Sequence, residues 1–178
     1  MRNALAEKTL RIIMDNPYIT LATCFAGQPW IAPLYYAVDR QLNLYFMSPK
    51  ESLHCKQMLH NKNVAVAIYD SSMPPESVDG VQISGVGEQV PENELPGVLD
   101  MFTQANFDGS AHPYTVSDFN GEQRRRFFRI RPTEVFTMDM HSSSGDERVS
   151  VNIQELQSIL AQSPACPSYP PQVPAAAR

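Results

Sequence analysis

Strand-like segments recur through residues 18–90, and their succession constrains the fold more than any other feature of the sequence. "YITLATCF" (18–25) and "WIAPLYYAVD" (30–39) are rich in β-branched and aromatic residues, and the turn residues "AGQP" (26–29) separate them. The pattern predicts a β-hairpin. Because Pro33 cannot donate a ladder hydrogen bond, we expect the second strand to lie at an edge or to bulge there.

Four further segments show a strand pattern. They cover residues 42–48, 63–70, 81–90 and 124–140. The last of them is expected to be interrupted around Pro132. Gly85 and Gly87 form a lone G-x-G, which is weak evidence for nucleotide binding, and we interpret the pair as a bulge or a close strand approach.

A helix is predicted between the third and fourth strands. Ser48 suits the N-cap, Pro49 the first helical position, and Glu51 completes a capping box, so the helix should run to about His60 and end at Asn61. Three more helices are predicted over residues 3–15, from Pro96 or later to 105, and over 151–162. Six strands with one interposed helix predict a mainly β fold, a β-barrel with attached helices.

Length and composition indicate one globular domain. We predict that it covers residues 1–162, that 142–148 form a loop, and that the tail 163–178, with five prolines, is disordered or extended. The net charge of −5 argues against a nucleic-acid partner. No run approaches the roughly 18 apolar residues of a membrane helix, and the amphipathic segment 1–17 is not typical of a secretory signal. Three widely spaced cysteines without metal-ligand spacing suggest free thiols in a reducing cytoplasm.

Three stretches together resemble a known family. They are "TLATCFAGQPWIAPLYYAVDRQLNLYFMSPKESLHCKQMLHNKNVAVAIYD" (20–70), "GVQISGVGEQV" (80–90) and "FFRIRPTEVFTMD" (127–139). In the order of their elements and in their residues they are similar to the pyridoxamine 5'-phosphate oxidase-like FMN-binding split-barrel family, over most of residues 5–140. The resemblance implies a six-stranded antiparallel split β-barrel that forms a homodimer, with two FMN molecules in clefts between the subunits.

The resemblance also implies a set of cofactor-binding residues. The strand along the flavin ring corresponds to Ile31, Ala32, Pro33, Leu34 and Tyr35. The strand end at Met47 and Ser48, and the helix start that follows, would hold the phosphate. The family's S-x-K pattern reads Ser52, Leu53 and His54, so histidine stands where many members have a phosphate-binding cation. Gln82 is a further candidate, reaching the cleft across the dimer.

The residue chemistry of "MSPKESLHCK" (47–56) independently suits a phosphate. It combines two hydroxyls, the cations Lys50 and Lys56, and the positive end of a helix. Lys50 and His54, four residues apart, would share a helix face. Three alternatives remain for the missing cation: a lysine replaces it, His54 is charged beside the phosphate, or the site binds something else. The competing interpretation is structural, with Ser48 only capping a helix and His54 packing.

Other candidates have weaker support. Trp30 and either Tyr35 or Tyr36 could flank a flavin ring, since adjacent strand residues face opposite ways. We interpret the arginines at 124–126, 129 and 148 as solvated, with contact to a cofactor or substrate anion across the dimer as the alternative. His112 and His141, in predicted loops, lack a partner motif for catalysis.

For activity, the resemblance implies an FMN-dependent oxidoreductase. The hydride would come from a reduced nicotinamide or a small substrate stacked on the flavin. One alternative is a flavin or haem carrier without turnover. Another is a haem-degrading protein with His54, His112 or His141 as ligand. The sequence does not separate FMN from FAD or a deazaflavin.

Overall fold

The computed structural model describes residues 2–74, 79–106, 114–139 and 147–162. The strands are β1 (Tyr18–Phe25), β2 (Gln28–Val38), β3 (Leu44–Pro49), β4 (Asn63–Tyr69), β5 (Gly80–Gln89), β6 (Arg125–Asp139) and β7 (Glu147–Val151). The helices are α1 (Arg2–Asp15), α2 (Leu53–His60), α3 (Leu95–Asn106) and α4 (Ile153–Gln162). Short 3-10 turns occupy Glu92–Glu94 and Val116–Phe119. No helix in the described ranges is long and apolar enough to cross a membrane.

Six antiparallel strands close into a barrel, as predicted. The order is β3-β2-β1-β4-β5-β6, and the pairing of β3 with β6 closes it. The seventh strand, β7, pairs with the later half of β6, so the prediction of a loop over 142–148 is wrong at residues 147 and 148. The rest of that loop and the tail 163–178 lie outside the described residues, as do His112 and His141.

Two apolar clusters hold the fold together. Alternating inward side chains fill the barrel, and α1 and α4 add Leu10, Ile13, Leu156 and Leu160 to the same cluster. The second cluster lies on the outer side of β3 and β6, where α3 covers it. Burial of this apolar surface is the main favourable contribution to folding.

The barrel is split along one seam. Only residues 36–38 of β2 pair with β3, in the register Tyr36 to Phe46 and Val38 to Leu44. Before Tyr36, β2 pairs with β1 alone, and beyond Phe46, β3 pairs with β6 alone. The two strands therefore diverge, which leaves β2 with the free edge that the prediction placed at Pro33.

Helix α2 packs where the two strands diverge. Gln57, which is buried, accepts a hydrogen bond from Thr23 Oγ1 at 2.7 Å and donates one to the Gln28 carbonyl at 3.0 Å. Gly87 lets the helix approach β5, because a Cβ there would lie 2.2 Å from Met58 Sδ. At Gly85 the β5–β6 register shifts, and a Cβ would lie 2.8 Å from the Arg131 carbonyl oxygen. Both glycines thus match the predicted bulge and close approach.

The predicted start of α2 is wrong. Ser48 and Pro49 belong to β3, because β6 pairs with this strand as far as Pro49 opposite Arg125. The N-cap is Ser52, whose side chain makes no capping hydrogen bond. Two smaller corrections concern other elements: α3 begins at Leu95, one residue before Pro96, and β6 runs through Pro132 as one strand with a bulge rather than an interruption.

Candidate functional site

Two serines and a histidine form a hydrogen-bonded cluster where β3 ends and α2 begins. Ser48 Oγ lies 2.8 Å from His54 Nε2, and Ser52 Oγ lies 3.1 Å from the same nitrogen. The two hydroxyl oxygens are 3.3 Å apart. The structure therefore brings together three of the predicted phosphate-binding residues, which we call the hydroxyl–imidazole cluster.

Strand alternation accounts for the position of the cluster. Leu44, Phe46 and Ser48 point into the barrel, and Ser48 is the polar residue at the end of that row. His54 lies in the first turn of α2, with its ring centroid 6.1 Å from that of Phe46. Ser48 is 3% exposed and His54 is 8% exposed. Each buried polar group thus finds a partner within the cluster, as burial requires.

Burial keeps the cluster uncharged at neutral pH. Desolvation lowers the pKa of His54 below its ordinary value. Desolvation also raises the pKa of the buried Cys55 thiol, against the opposing effect of hydrogen bonds to Ser52 and Ser48. In this structure the cluster therefore offers hydroxyl and imidazole groups for hydrogen bonding, and a cation must come from elsewhere.

We expect the free energy of unfolding to fall as the pH is lowered below about 6.5, the ordinary pKa of histidine. Because the folded-state pKa of His54 is lowered, the unfolded chain binds the proton first, and acid favours unfolding until the folded state is protonated too. Urea unfolding between pH 5 and 8 measures this slope. His54→Gln should show a shallower slope, and equal slopes in both proteins would contradict the assignment to His54.

Of the two nearby lysines, Lys50 is the better candidate for a ligand cation. Lys56 pairs with Glu51 at 2.9 Å, whereas Lys50 has no ion pair within the described part of the chain. Lys50 lies in the turn before α2, so the expected helix face shared with His54 is wrong. Two backbone N–H groups of this turn already have acceptors: Lys50 N donates to the Arg124 carbonyl at 2.9 Å, and Ser52 N to the Pro49 carbonyl at 3.0 Å.

Two arginines of the last barrel strand are less solvated than predicted. Arg126 is 8% exposed and donates to the backbone carbonyls of Gln123, Arg125 and Gly121. Arg129 pairs with Glu88 at 2.5 Å and Glu94 at 2.7 Å. Both guanidinium groups therefore have structural partners, which corrects the solvated interpretation for Arg126 and Arg129, whereas Arg124 and Arg125 are exposed.

A groove of about 550 Å³ lies on the outer face of the sheet. It is lined by Thr20, Ala22, Ile31, Ala65, Val66, Ala67, Gln82, Ile83, Ser84, Glu134, Phe136 and Arg148. Its side chains from β1 and β4 are small, and Ile31 on β2 is 64% exposed. The volume is within the range of small-molecule sites.

The remaining predicted residues fall into separate environments. On β2, Ile31, Pro33 and Tyr35 are exposed, whereas Ala32 is buried and Leu34 packs against the core. The outward Tyr35 stacks edge-on against Tyr18, with ring centroids 5.4 Å apart. The expected opposite orientation of Tyr36 is confirmed, since Tyr36 is 1% exposed and its hydroxyl donates to the Ile13 carbonyl.

The predicted residues on β3, α2 and β5 also differ in their environments. Met47 packs against the outer cluster beneath α3, and Leu53 is 46% exposed at the start of α2. Gln82 lines the groove together with Ile31. Some predicted residues thus form the hydroxyl–imidazole cluster, and Ile31 and Gln82 line the groove. Others, such as Met47, pack against the apolar clusters.

Sequence reasoning missed most of the groove lining. Its β1 and β4 side chains include Ala22, Ala65 and Ala67, which are small residues at alternate strand positions. That spacing was the available signal, because small residues on an outward face leave room for a ligand. Arg148 was interpreted as solvated, since the strand that carries it was not predicted.

A family model described as pyridoxamine 5'-phosphate oxidase matches residues 5–139. The chain belongs to this family. The match covers β1 to β6 and therefore both sides of the seam, and it stops before β7 and Arg148. A search of the curated proteins finds no match.

Solved structures share the fold of this oxidase-family chain at low identity. A protein of unknown function from Agrobacterium tumefaciens is 13% identical, with a TM-score of 0.62 over 75% of this chain and 56% of the other. A heme binding protein from Mycobacterium smegmatis is 17% identical, with a TM-score of 0.66 over 86% and 60%. A FAD-binding protein from Mesorhizobium loti is 22% identical, with a TM-score of 0.55 over 73% and 91%. The chain thus spans less than two thirds of the first two proteins.

Proposed function

We propose that this chain is an FMN-binding oxidoreductase that works as a homodimer on a small substrate. The observation that carries the proposal is the hydroxyl–imidazole cluster beside a split seam, in a chain of the pyridoxamine 5'-phosphate oxidase family. The free edge of β2 borders one side of the seam, and the end of β3 with the start of α2 borders the other.

The donor set beside the seam fits a phosphate monoester. Ser48 and Ser52 supply hydroxyl donors 3.3 Å apart, and Lys50 supplies a cation with no competing ion pair among the described residues. Phosphate binding at Ser48 would replace its 2.8 Å hydrogen bond to His54 by one to a phosphate oxygen. Charge-assisted hydrogen bonds of this kind are stronger than neutral ones. His54 then keeps its 3.1 Å contact with Ser52 Oγ and, being neutral, does not balance the phosphate charge.

The groove suits the flavin ring of FMN together with a small substrate. Ile31 and Gln82 are both predicted flavin contacts, and both line it. Small side chains between them leave a flat floor for a planar ring. Bound FMN would supply hydride transfer between a reduced nicotinamide and the substrate, while the chain supplies binding and orientation.

Exposed apolar side chains favour a second copy as the partner. Among the described residues, most of the large exposed ones lie on β1, β2, α2 and β4: Tyr18, Phe25, Trp30, Ile31, Tyr35, Leu53, Leu59 and Tyr69. Exposed apolar surface of this kind marks interaction sites. Ile31 lines the groove and Tyr35 lies on β2 where this strand borders the seam, so a symmetric partner that covers these side chains would shield the groove and the seam from water.

An absorption spectrum of the purified protein tests the proposal, with the released cofactor identified by mass and the molar mass measured by light scattering. We expect a flavin spectrum, FMN on release, and twice the chain mass. Bleaching on addition of a reduced nicotinamide would support turnover.

Other results would contradict the proposal in distinct ways. A stable flavin spectrum without bleaching would leave binding but remove the oxidoreductase activity. Failure to take up added FMN, together with a Soret band on adding haem, would favour a haem-binding function like that of the Mycobacterium smegmatis neighbour.

A further inference from the structure

Arg148 extends over the groove from β7, outside the part of the chain that the family model covers. Its guanidinium carbon lies 4.3 Å from the ring centroid of Phe136. This cation–π contact holds the guanidinium group against the groove wall. The register of Arg148 opposite Met138 places the side chain on the same outer face as Phe136.

Most hydrogen-bonding capacity of Arg148 is unused by the described residues. Of the five N–H donors of a guanidinium group, one contacts Gln82 Oε1, at a long 3.4 Å. No ion pair of Arg148 occurs among the residues that the structure describes. Arg129 and Arg131 differ, because both pair with Glu88.

We propose that Arg148 is a specificity-determining residue that selects substrates with a planar ring and an anionic group, a carboxylate or a phosphate. The substrate ring lies in the groove, and its anionic group accepts hydrogen bonds from the guanidinium group of Arg148. The inference rests on the proposed function in taking the groove as the substrate site. It does not require that flavin binds.

Glu134 weakens the preference of the groove for anionic ligands. Its carboxylate lines the same groove and repels an anionic ligand, so the two residues oppose each other. Removal of the Glu134 charge should therefore strengthen anion binding, whereas removal of the Arg148 charge should abolish the preference. A folding defect would weaken binding in both variants, so it cannot explain opposite effects of the two substitutions on anion binding.

Benzoate and benzamide are matched probes, because they share a planar ring and differ in one negative charge. Titration of the full-length protein, followed by NMR, gives the two dissociation constants. We expect benzoate to bind about tenfold more tightly than benzamide, as charge-assisted hydrogen bonds imply. The ratio should fall to about one in Arg148→Gln and rise about threefold in Glu134→Gln.

Arg131→Gln is the matched control. It removes the same charge from β6, at a residue that pairs with Glu88 and does not line the groove, and it should keep the tenfold ratio. Equal affinities in the wild type, an unchanged ratio in Arg148→Gln, or no binding of either probe would overturn the inference. FMN uptake by the same samples keeps the two proposals distinct: normal uptake with no benzoate preference defeats this inference alone.

Discussion

Replacement of both Ser48 and Lys50 by alanine is expected to weaken FMN binding about 100-fold and riboflavin binding less than about threefold. The two ligands differ only in the phosphate, so the comparison isolates the contacts made to that group. Each lost hydrogen bond to a charged group costs about 1.5–3 kcal/mol, or at least about tenfold in affinity. Quenching of flavin fluorescence on titration with protein measures both constants.

Lys56→Ala is the control for this variant. Lys56 lies in α2 but pairs with Glu51 and is 54% exposed, so its loss should leave the FMN-to-riboflavin ratio unchanged. Equal weakening of both ligands in the double variant would mean that the substitutions disturb packing around Phe46 rather than phosphate binding. An unchanged ratio would show that the phosphate lies elsewhere.

Local sequence patterns predicted the strands well and the helix start badly, for one physical reason. The strand Tyr18–Phe25 has the predicted bounds, because its composition and its hairpin partner act over a few residues. At Ser48 and Pro49 the local pattern favours a helix cap, but pairing with Arg125 and Arg126 continues the strand. That pairing spans more than 70 residues of sequence, and no cap propensity of about 1 kcal/mol outweighs it.

The candidate site was predictable only as a set of residue types. The resemblance placed Ser48, Ser52 and His54 together, and the structure shows them in contact. It did not show that His54 is buried, which follows from α2 packing against the barrel. Arg148 was not predicted to reach the groove because β7 has a weak strand pattern: "ERVSV" (147–151) is short and carries two charges.

Replacement of Phe128 by alanine is expected to lower the free energy of unfolding by about 3–5 kcal/mol. Phe128 is fully buried, and its ring lies 5.4 Å from that of Phe46, its partner across the β3–β6 pair that closes the barrel. The loss therefore combines a cavity with a broken aromatic contact. It is a large share of the roughly 5–15 kcal/mol that stabilises a domain. Urea unfolding measures the change.

Phe25→Ala provides the contrast for the same chemical change. Phe25 is 45% exposed and stacks on His60 at a centroid distance of 4.6 Å, so its loss should cost about 1 kcal/mol. A Phe128→Ala cost no larger than that of Phe25→Ala would show that β3 and β6 are not held together by this ring pair. The seam would then not be stabilised by this aromatic contact. The contact lies at the edge of the seam, because β2 diverges from β3 at Phe46 and Phe128 packs against Phe46.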